Sequence, residues 1–335
     1  MEDITEKSQI PVIFSIDVEP DEFLIDKNNP KKWSGFEFCH GYLSDVRNKL
    51  EDITNRPVNF NWFLRFDPQI AISYGSATWV LDHYAHWLEE YRGKGDKFGL
   101  HVHTYRYSNE HDGWIDDIGN KTWVEECLGS SAAFYQEYFK EPAPYLRFGG
   151  FFIDTAAINL AEKLGIKYDL SVEPGIPGKK VEGSNIPRSA PTPDFYRVPR
   201  VPYRPAIDDC LKPAGKNEHR DITLIPLSTA HLKLGYGYKD WRARLGRVVR
   251  NGVSGYKQSL PLSMWREWEG SNTYAIMLER AIELQNRPFL AVAIRSSIDG
   301  WRFKNYTSSF NGLFECTSTP DFNFCSPEKA MEWLS

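Results

Sequence analysis

The sequence predicts an α/β fold in which one parallel sheet curls into a (β/α) barrel. Three observations predict it. Short apolar segments alternate with amphipathic segments of helical period, and seven strands can be counted, starting near Pro11, Pro57, Phe98, Pro144, Gly165, Asp221 and Phe289. Polar residues able to do chemistry sit at the C-terminal ends of most of them: Asp17, His103, Arg147, Asp169 and Arg295. Continuous apolar strands joined through helices belong to a parallel sheet covered on both faces. A barrel brings all C-terminal strand ends to one mouth, whereas an open sheet gathers only a few at its switch point.

Each element has its own signal. PVIFSID (Pro11–Asp17) is apolar, partly β-branched and ends in charge, as a buried strand does. PVNFNWFL alternates Val58, Phe60, Trp62 and Leu64 with other residues, which gives a second strand. In SATWVLDHYAHWLEEY (Ser76–Tyr91) the period changes: Trp79, Val80, Tyr84, Trp87 and Leu88 share a helical face, with Ser76 as the expected N-cap. The turn RGKGDK leads to the strand FGLHVH. A helix over Lys121–Phe139 precedes the strand PYLRFGG (Pro144–Gly150). Asp154 is placed to cap the next helix, and GIKYDLSV (Gly165–Val172) is the strand beyond it. Residues Glu173 to about Gly215 are rich in Pro and Gly and too long for an ordinary connection, which suits a loop layer over a site. DITLIPLS (Asp221–Ser228), a helix over Ser271–Gln285 and the very apolar strand RPFLAVAIRSS (Arg287–Ser297) complete the series. Residues 1–335 read as a single barrel domain, with a loop insertion around 173–215 and an irregular C-terminal segment over 300–335. The aromatic clusters KKWSGFEF and YTSSFNGLF read as loops that could offer stacking surfaces.

Composition narrows the function. A formal net charge of -5 gives no electrostatic case for a nucleic-acid partner, and the basic runs Lys27–Lys32 and Arg242–Arg250 are short. The N-terminus has no apolar signal core, and no stretch approaches the roughly 20 apolar residues of a membrane span. Five cysteines (Cys39, Cys127, Cys210, Cys316, Cys325) are scattered without metal spacing, so reduced thiols and a cytoplasmic location are expected. No dinucleotide fingerprint, phosphate loop, nucleophile elbow or HExxH is present, which leaves a nucleotide-cofactor enzyme without support.

Two stretches carry chemistry. In FGLHVHTYRYSNEHDGW, His101 and His103 lie two apart on a strand, on the same side and about 6.6 Å apart at the backbone. Such a pair can grip one divalent ion, or one imidazole can bind while the other orients substrate; His111 lies in the loop beyond and could fold back. In VIFSIDVEP, Asp17 and Glu19 repeat that spacing. Two buried carboxylates without a cation are costly, so a metal held by one would leave the other free to take a proton from water.

The order SIDVEP … FGLHVHTY … YLRFGG … GIKYDLSVEPG … FLAVAIRSS, over roughly residues 10 to 300, resembles the polysaccharide deacetylase family. The resemblance implies an incomplete (β/α)7 barrel and a metal-dependent carbohydrate esterase holding one divalent ion, zinc foremost. It implies Asp17 as general base and Glu19 as metal ligand, with one residue intervening where the family has an adjacent pair. The family's two histidines, three residues apart, fall on His103 and on Tyr107, a departure that leaves His101 or His111 to supply the second nitrogen. Arg147 matches the arginine that fixes the catalytic Asp, and Asp169 the group that steadies the site. The family's last histidine falls on Arg295, which can stabilise an oxyanion but cannot give up a proton at neutral pH; His231 is the stand-in acid. The implied substrate is an acetylated carbohydrate or a nucleotide- or lipid-linked glycan. The residues leave open a non-catalytic carbohydrate-binding barrel, a glycoside hydrolase using Asp17, Glu19 and Asp169, and a structural role. The oligomeric state is not legible.

Overall fold

A computed structural model describes residues 9–182, 186–233, 257–262, 264, 271–283, 285–297, 300–317 and 322–335. The first half of the chain runs β1 (Ile10–Val18), α1 (Ser34–Thr54), β2 (Asn61–Arg65), α2 (Pro68–Tyr74), α3 (Trp79–Gly93), β3 (Lys97–Val102), β4 (Tyr105–Ser108), β5 (Gly113–Asp116), α4 (Lys121–Phe139) and β6 (Tyr145–Phe148). The second half runs α5 (Thr155–Lys163), β7 (Tyr168–Asp169), β8 (Thr223–Leu224), β9 (Thr229–Lys233), β10 (Lys257–Pro261), α6 (Ser271–Glu283), β11 (Leu290–Arg295), α7 (Gly300–Cys316), β12 (Phe322–Phe324) and α8 (Pro327–Leu334). The main sheet is parallel, ordered β11-β1-β2-β3-β6-β7-β8, and forms the expected incomplete (β/α)7 barrel.

Strand alternation divides the core in two. Val12, Phe14, Ile16 and Val18 face outward into a large cluster with Phe36, Leu43 and Leu50 of α1. Ile13 faces inward, with Phe63, Tyr145, Leu170, Ile225, Leu227, Ala291 and Ala293. Ala330, Met331 and Leu334 of α8 close the lower end of that inner cluster. Gly99 makes room inside: a Cβ there would lie 2.7 Å from the Tyr145 Cβ. Between β8 and β11 no strand among the described residues completes the ring. Instead the chain after β8 crosses the gap, with Ile225 N donating to Asp169 O, Leu227 N to Val172 O, and Ser228 N to Ala291 O, each within 2.9 Å.

Several elements differ from the sequence reading for identifiable reasons. β2 begins at Asn61 rather than Pro57 because β12 takes the lower edge of β1, pairing Phe322–Phe324 with Ile10–Val12. The 300–335 segment is therefore not irregular but helix, strand and helix. YTSSFNGLF lies within α7, where Tyr306, Phe310 and Leu313 are buried, and KKWSGFEF leads into α1 with Trp33 and Phe36 buried, so neither is a stacking loop. α3 starts at Trp79 with Thr78 at its N-cap position; Ser76 Oγ accepts from Thr78 N ahead of the helix and donates to Asp82 Oδ2. α4 spans Lys121–Phe139, and Asp154 accepts from Ala157 N as a true N-cap. The 173–215 excursion is pinned rather than free. It clasps β5 through Asp116 N to Pro187 O and Ser189 N to Asp116 O, and Tyr203 pairs with Leu224 on the exposed edge of β8. No helix among the described residues is long and apolar enough to cross a membrane.

Candidate metal centre

The register fixes which residues point into the barrel mouth. Asp17 pairs with Arg295 across β1 and β11, Arg65 with His101 across β2 and β3, and His101 with Arg147 across β3 and β6. All share the parity of the inner cluster, so the apolar interior gives way near the mouth to charge. Glu19 follows Asp17 two residues on, as Asp67 follows Arg65 and His103 follows His101.

Glu19, His101 and His103 form one buried group. His103 Nε2 lies 3.0 Å from His101 Nε2 and 3.4 Å from Glu19 Oε2, while His101 Nε2 lies 3.8 Å from Glu19 Oε2. Ligands about 2.1 Å from a tetrahedral ion sit roughly 3.4 Å apart, so these spacings bracket what one ion requires. The tautomer of His101 follows from its partner. Its Nδ1 is 2.8 Å from the Arg147 carbonyl, which can only accept, so Nδ1 carries the proton and Nε2 presents a lone pair. Burial, and then the Arg65 guanidinium, push the His103 pKa down to about 3, keeping that imidazole neutral. Burial opposes charge on Glu19, but Arg295 and the two imidazoles outweigh it and hold this carboxyl well below its ordinary range. Glu19 Oε1 is paired with Arg295 Nε, whereas Oε2 is buried without a hydrogen-bond partner among the described residues.

Around this group lies a charged frame. Arg147 Nε donates to Asp17 Oδ1 at 2.9 Å and Oδ2 at 3.2 Å, Nη1 to Leu170 O, and Nη2 to Glu173 Oε1 at 3.2 Å. Arg65 makes a two-point pair with Asp67 at 2.8 Å and also donates to Gln69 Oε1. Arg295 packs over the Phe23 ring at 3.7 Å. Gly149 is obligatory in this packing, since a Cβ there would meet the His103 ring at 2.1 Å.

Not every residue expected at the site reaches it. His111 is exposed on the β4–β5 hairpin, where Nδ1 meets Ser108 Oγ, and Tyr107 on the same hairpin donates to Asp112. That hairpin is held by its own antiparallel ladder, so His111 does not fold back to the ion group. Asp169 lies between the inward Tyr168 and Leu170 and therefore faces out of the barrel. It accepts from Ser171 N and Oγ, and Ser171 Oγ in turn accepts from Phe148 N, so Asp169 braces the β6 backbone rather than touching the mouth. Burial raises its pKa to about 6 despite the Ser171 hydrogen bonds. His231 is on β9 opposite Ser259, and its side chain lies outside the described residues. The sequence reading missed Arg65, Asp67, Gln69, Phe23 and Glu173. Arg65 and Asp67 were detectable, since they repeat the two-residue spacing of Asp17/Glu19 and His101/His103.

No protein-family model matches the chain, and no curated relative matches it. Solved structures do. A protein from Parabacteroides distasonis assigned as a glycoside hydrolase/deacetylase superposes with a TM-score of 0.55 at 13% identity, covering 97% of this chain and 71% of that one. A Mycobacterium smegmatis protein assigned as a polysaccharide deacetylase gives 0.51 at 10% identity, covering 98% and 92%. At such identities the likeness concerns the fold, and the chain shares the incomplete (β/α)7 barrel of these two proteins.

Proposed function

We propose that the protein is a metal-dependent hydrolase that removes an N- or O-acetyl group from a carbohydrate or glycan precursor. The observation that carries this reading is the Glu19 Oε2 atom, buried without a hydrogen-bond partner among the described residues and facing two imidazole nitrogens. Charge balance agrees: the buried carboxylates Asp17, Glu19, Asp67 and Glu173 outnumber the guanidinia of Arg65, Arg147 and Arg295 by one, so a cation is wanted there. Glu19, His101 and His103 would hold one divalent ion, with zinc favoured by the imidazole ligands and the small ligand number. Such an ion polarises a carbonyl and makes water acidic. Asp17 would take the proton from the attacking water, its carboxylate oriented by Arg147. Arg147 in turn is fixed by Glu173 and the Leu170 carbonyl, so the base keeps its aim. His231 is the proposed donor to the departing sugar oxygen or nitrogen. Water adds to the acyl carbon, the bond to the sugar breaks, and acetate and the free alcohol or amine result. The alternative without a metal, a glycosidase built on Asp17, Glu19 and Asp169, is disfavoured by the same geometry. Such an enzyme needs a protonated carboxyl beside the scissile bond, but Glu19 is held ionised and Asp169 faces away.

The test is elemental mass spectrometry of purified protein beside His103→Ala, followed by acetate release from acetylated sugars. Near one equivalent of zinc, lost in the variant, is expected. Folded protein that stays metal-free after incubation with zinc would overturn the reading and direct attention to carbohydrate binding without catalysis.

A further inference from the structure

We propose that Arg65 and Arg295 form an oxyanion clamp over the Glu19–His101–His103 group, seating a carboxylate or phosphate. The inference rests on the hydrolase reading for its biological meaning, but its physical basis is separate. Arg65 Nη1 and Arg295 Nη2 are both buried and have no hydrogen-bond partner among the described residues. A guanidinium gives up strongly held water on burial, so an idle N–H of this kind needs an explanation, and two in one site point to a shared ligand. Their surroundings define where it sits. Arg65 is beside His101 in register, locked from one side by Asp67 and Gln69. Arg295 enters from β11, which flanks β1 on the side away from β2, and is fixed by Glu19 and the face of Phe23. Both bear electrostatically on Glu19 and on the buried Tyr105, whose ring stacks on His103 at 5.0 Å. Arg147 takes no part in the clamp, because Asp17, Leu170 and Glu173 engage its three nitrogens. With a divalent ion in place the buried frame would carry one positive charge in excess, which an anion neutralises. A planar or tetrahedral oxyanion accepts from two separate guanidinia, whereas a neutral sugar hydroxyl does not need them.

Calorimetric titration with inorganic phosphate, and separately with sodium acetate, tests the clamp on zinc-loaded and zinc-free protein whose zinc content is measured in the same samples. Wild type is expected to take up one phosphate per chain. Arg295→Gln, at the rim, and Arg65→Lys, which keeps the charge but loses the fork, should each weaken uptake at least about tenfold when compared with wild type at matched zinc content. Acetate that competes with phosphate identifies the carboxylate product as the natural occupant; phosphate uptake without competition identifies a phosphate carried by the substrate. Phosphate affinity unaltered in both variants, or no uptake with or without zinc, overturns the clamp. Should Arg65→Lys fail to fold, Arg295→Gln alone decides. Wild type that takes up phosphate through these arginines yet binds no zinc after incubation with it would keep the clamp while removing the hydrolase reading.

Discussion

The lower and upper halves of the barrel interior are built on the same strands and the same inward parity, yet they differ in every physical respect. Below, Ile13, Phe63, Tyr145, Ala291 and Ala293 pack against α8. Two to six residues further along these strands stand Asp17, Glu19, Arg65, Arg147 and Arg295, joined by His101 and His103 beyond Gly99 of β3. The lower half stabilises by removing apolar area from water, on the order of 25 cal/mol per Å². The upper half works the other way, because each buried charge costs desolvation that its partner only partly returns. The contrast teaches that the mouth is held together by the floor beneath it, so the two halves should respond to different insults.

The largest separation is expected from Asp17→Asn. It should reduce acetate release by roughly 10²–10⁴ while metal content is retained, as measured by steady-state kinetics beside elemental analysis. Equal loss of metal and rate would mean that Asp17 serves as a ligand rather than a base. The converse insult is Phe63→Ala in the floor, which should cost about 3–5 kcal/mol in urea denaturation. Zinc per folded chain should stay unchanged, and a variant that keeps full stability would show that the floor does not carry the fold.

Asp169 sharpens the comparison by testing what lies outside the barrel. Its folded pKa, near 6, stands above the usual carboxyl value, so the protonated form is favoured in the folded state. Its contribution is therefore most favourable below about pH 4 and is lost as pH rises through 6, a change on the order of 3 kcal/mol. Wild-type stability relative to Asp169→Asn should fall across that window, and parallel stability profiles would refute the assignment. The smallest effect concerns the ligand group itself. Zinc at 100 times its Kd should stabilise wild type by about 2.7 kcal/mol. Gly149→Ala, which drives a methyl into the His103 ring, should abolish the thermal shift.

Much of the fold was legible because it rests on local pattern. The apolar strands and the Lys121–Phe139 helix are periodic over enough residues to be read directly. β7 and β8 were read too long because strand length there is set by partners remote in sequence: Tyr203 and the crossing at Ser228 take over their hydrogen bonds. α7 was missed although Tyr306, Phe310 and Leu313 have helical spacing, since Thr, Ser and Gly between them are poor helix formers that tertiary burial overrides. At the site, paired residues two apart announced the buried Glu19–His101–His103 group. Two positions were not legible: Asp169, which strand parity turns outward so that it acts on the β6 backbone through Ser171, and His111, whose place a hairpin ladder decides.

The α8 plug has a consequence for traffic. With Ala330, Met331 and Leu334 seated under the inner cluster and Tyr145 Oη donating to Glu328, the barrel is a cup rather than a tube. Among the described residues the lower end is filled, so a molecule bound at Asp17 and the histidines has no exit past α8.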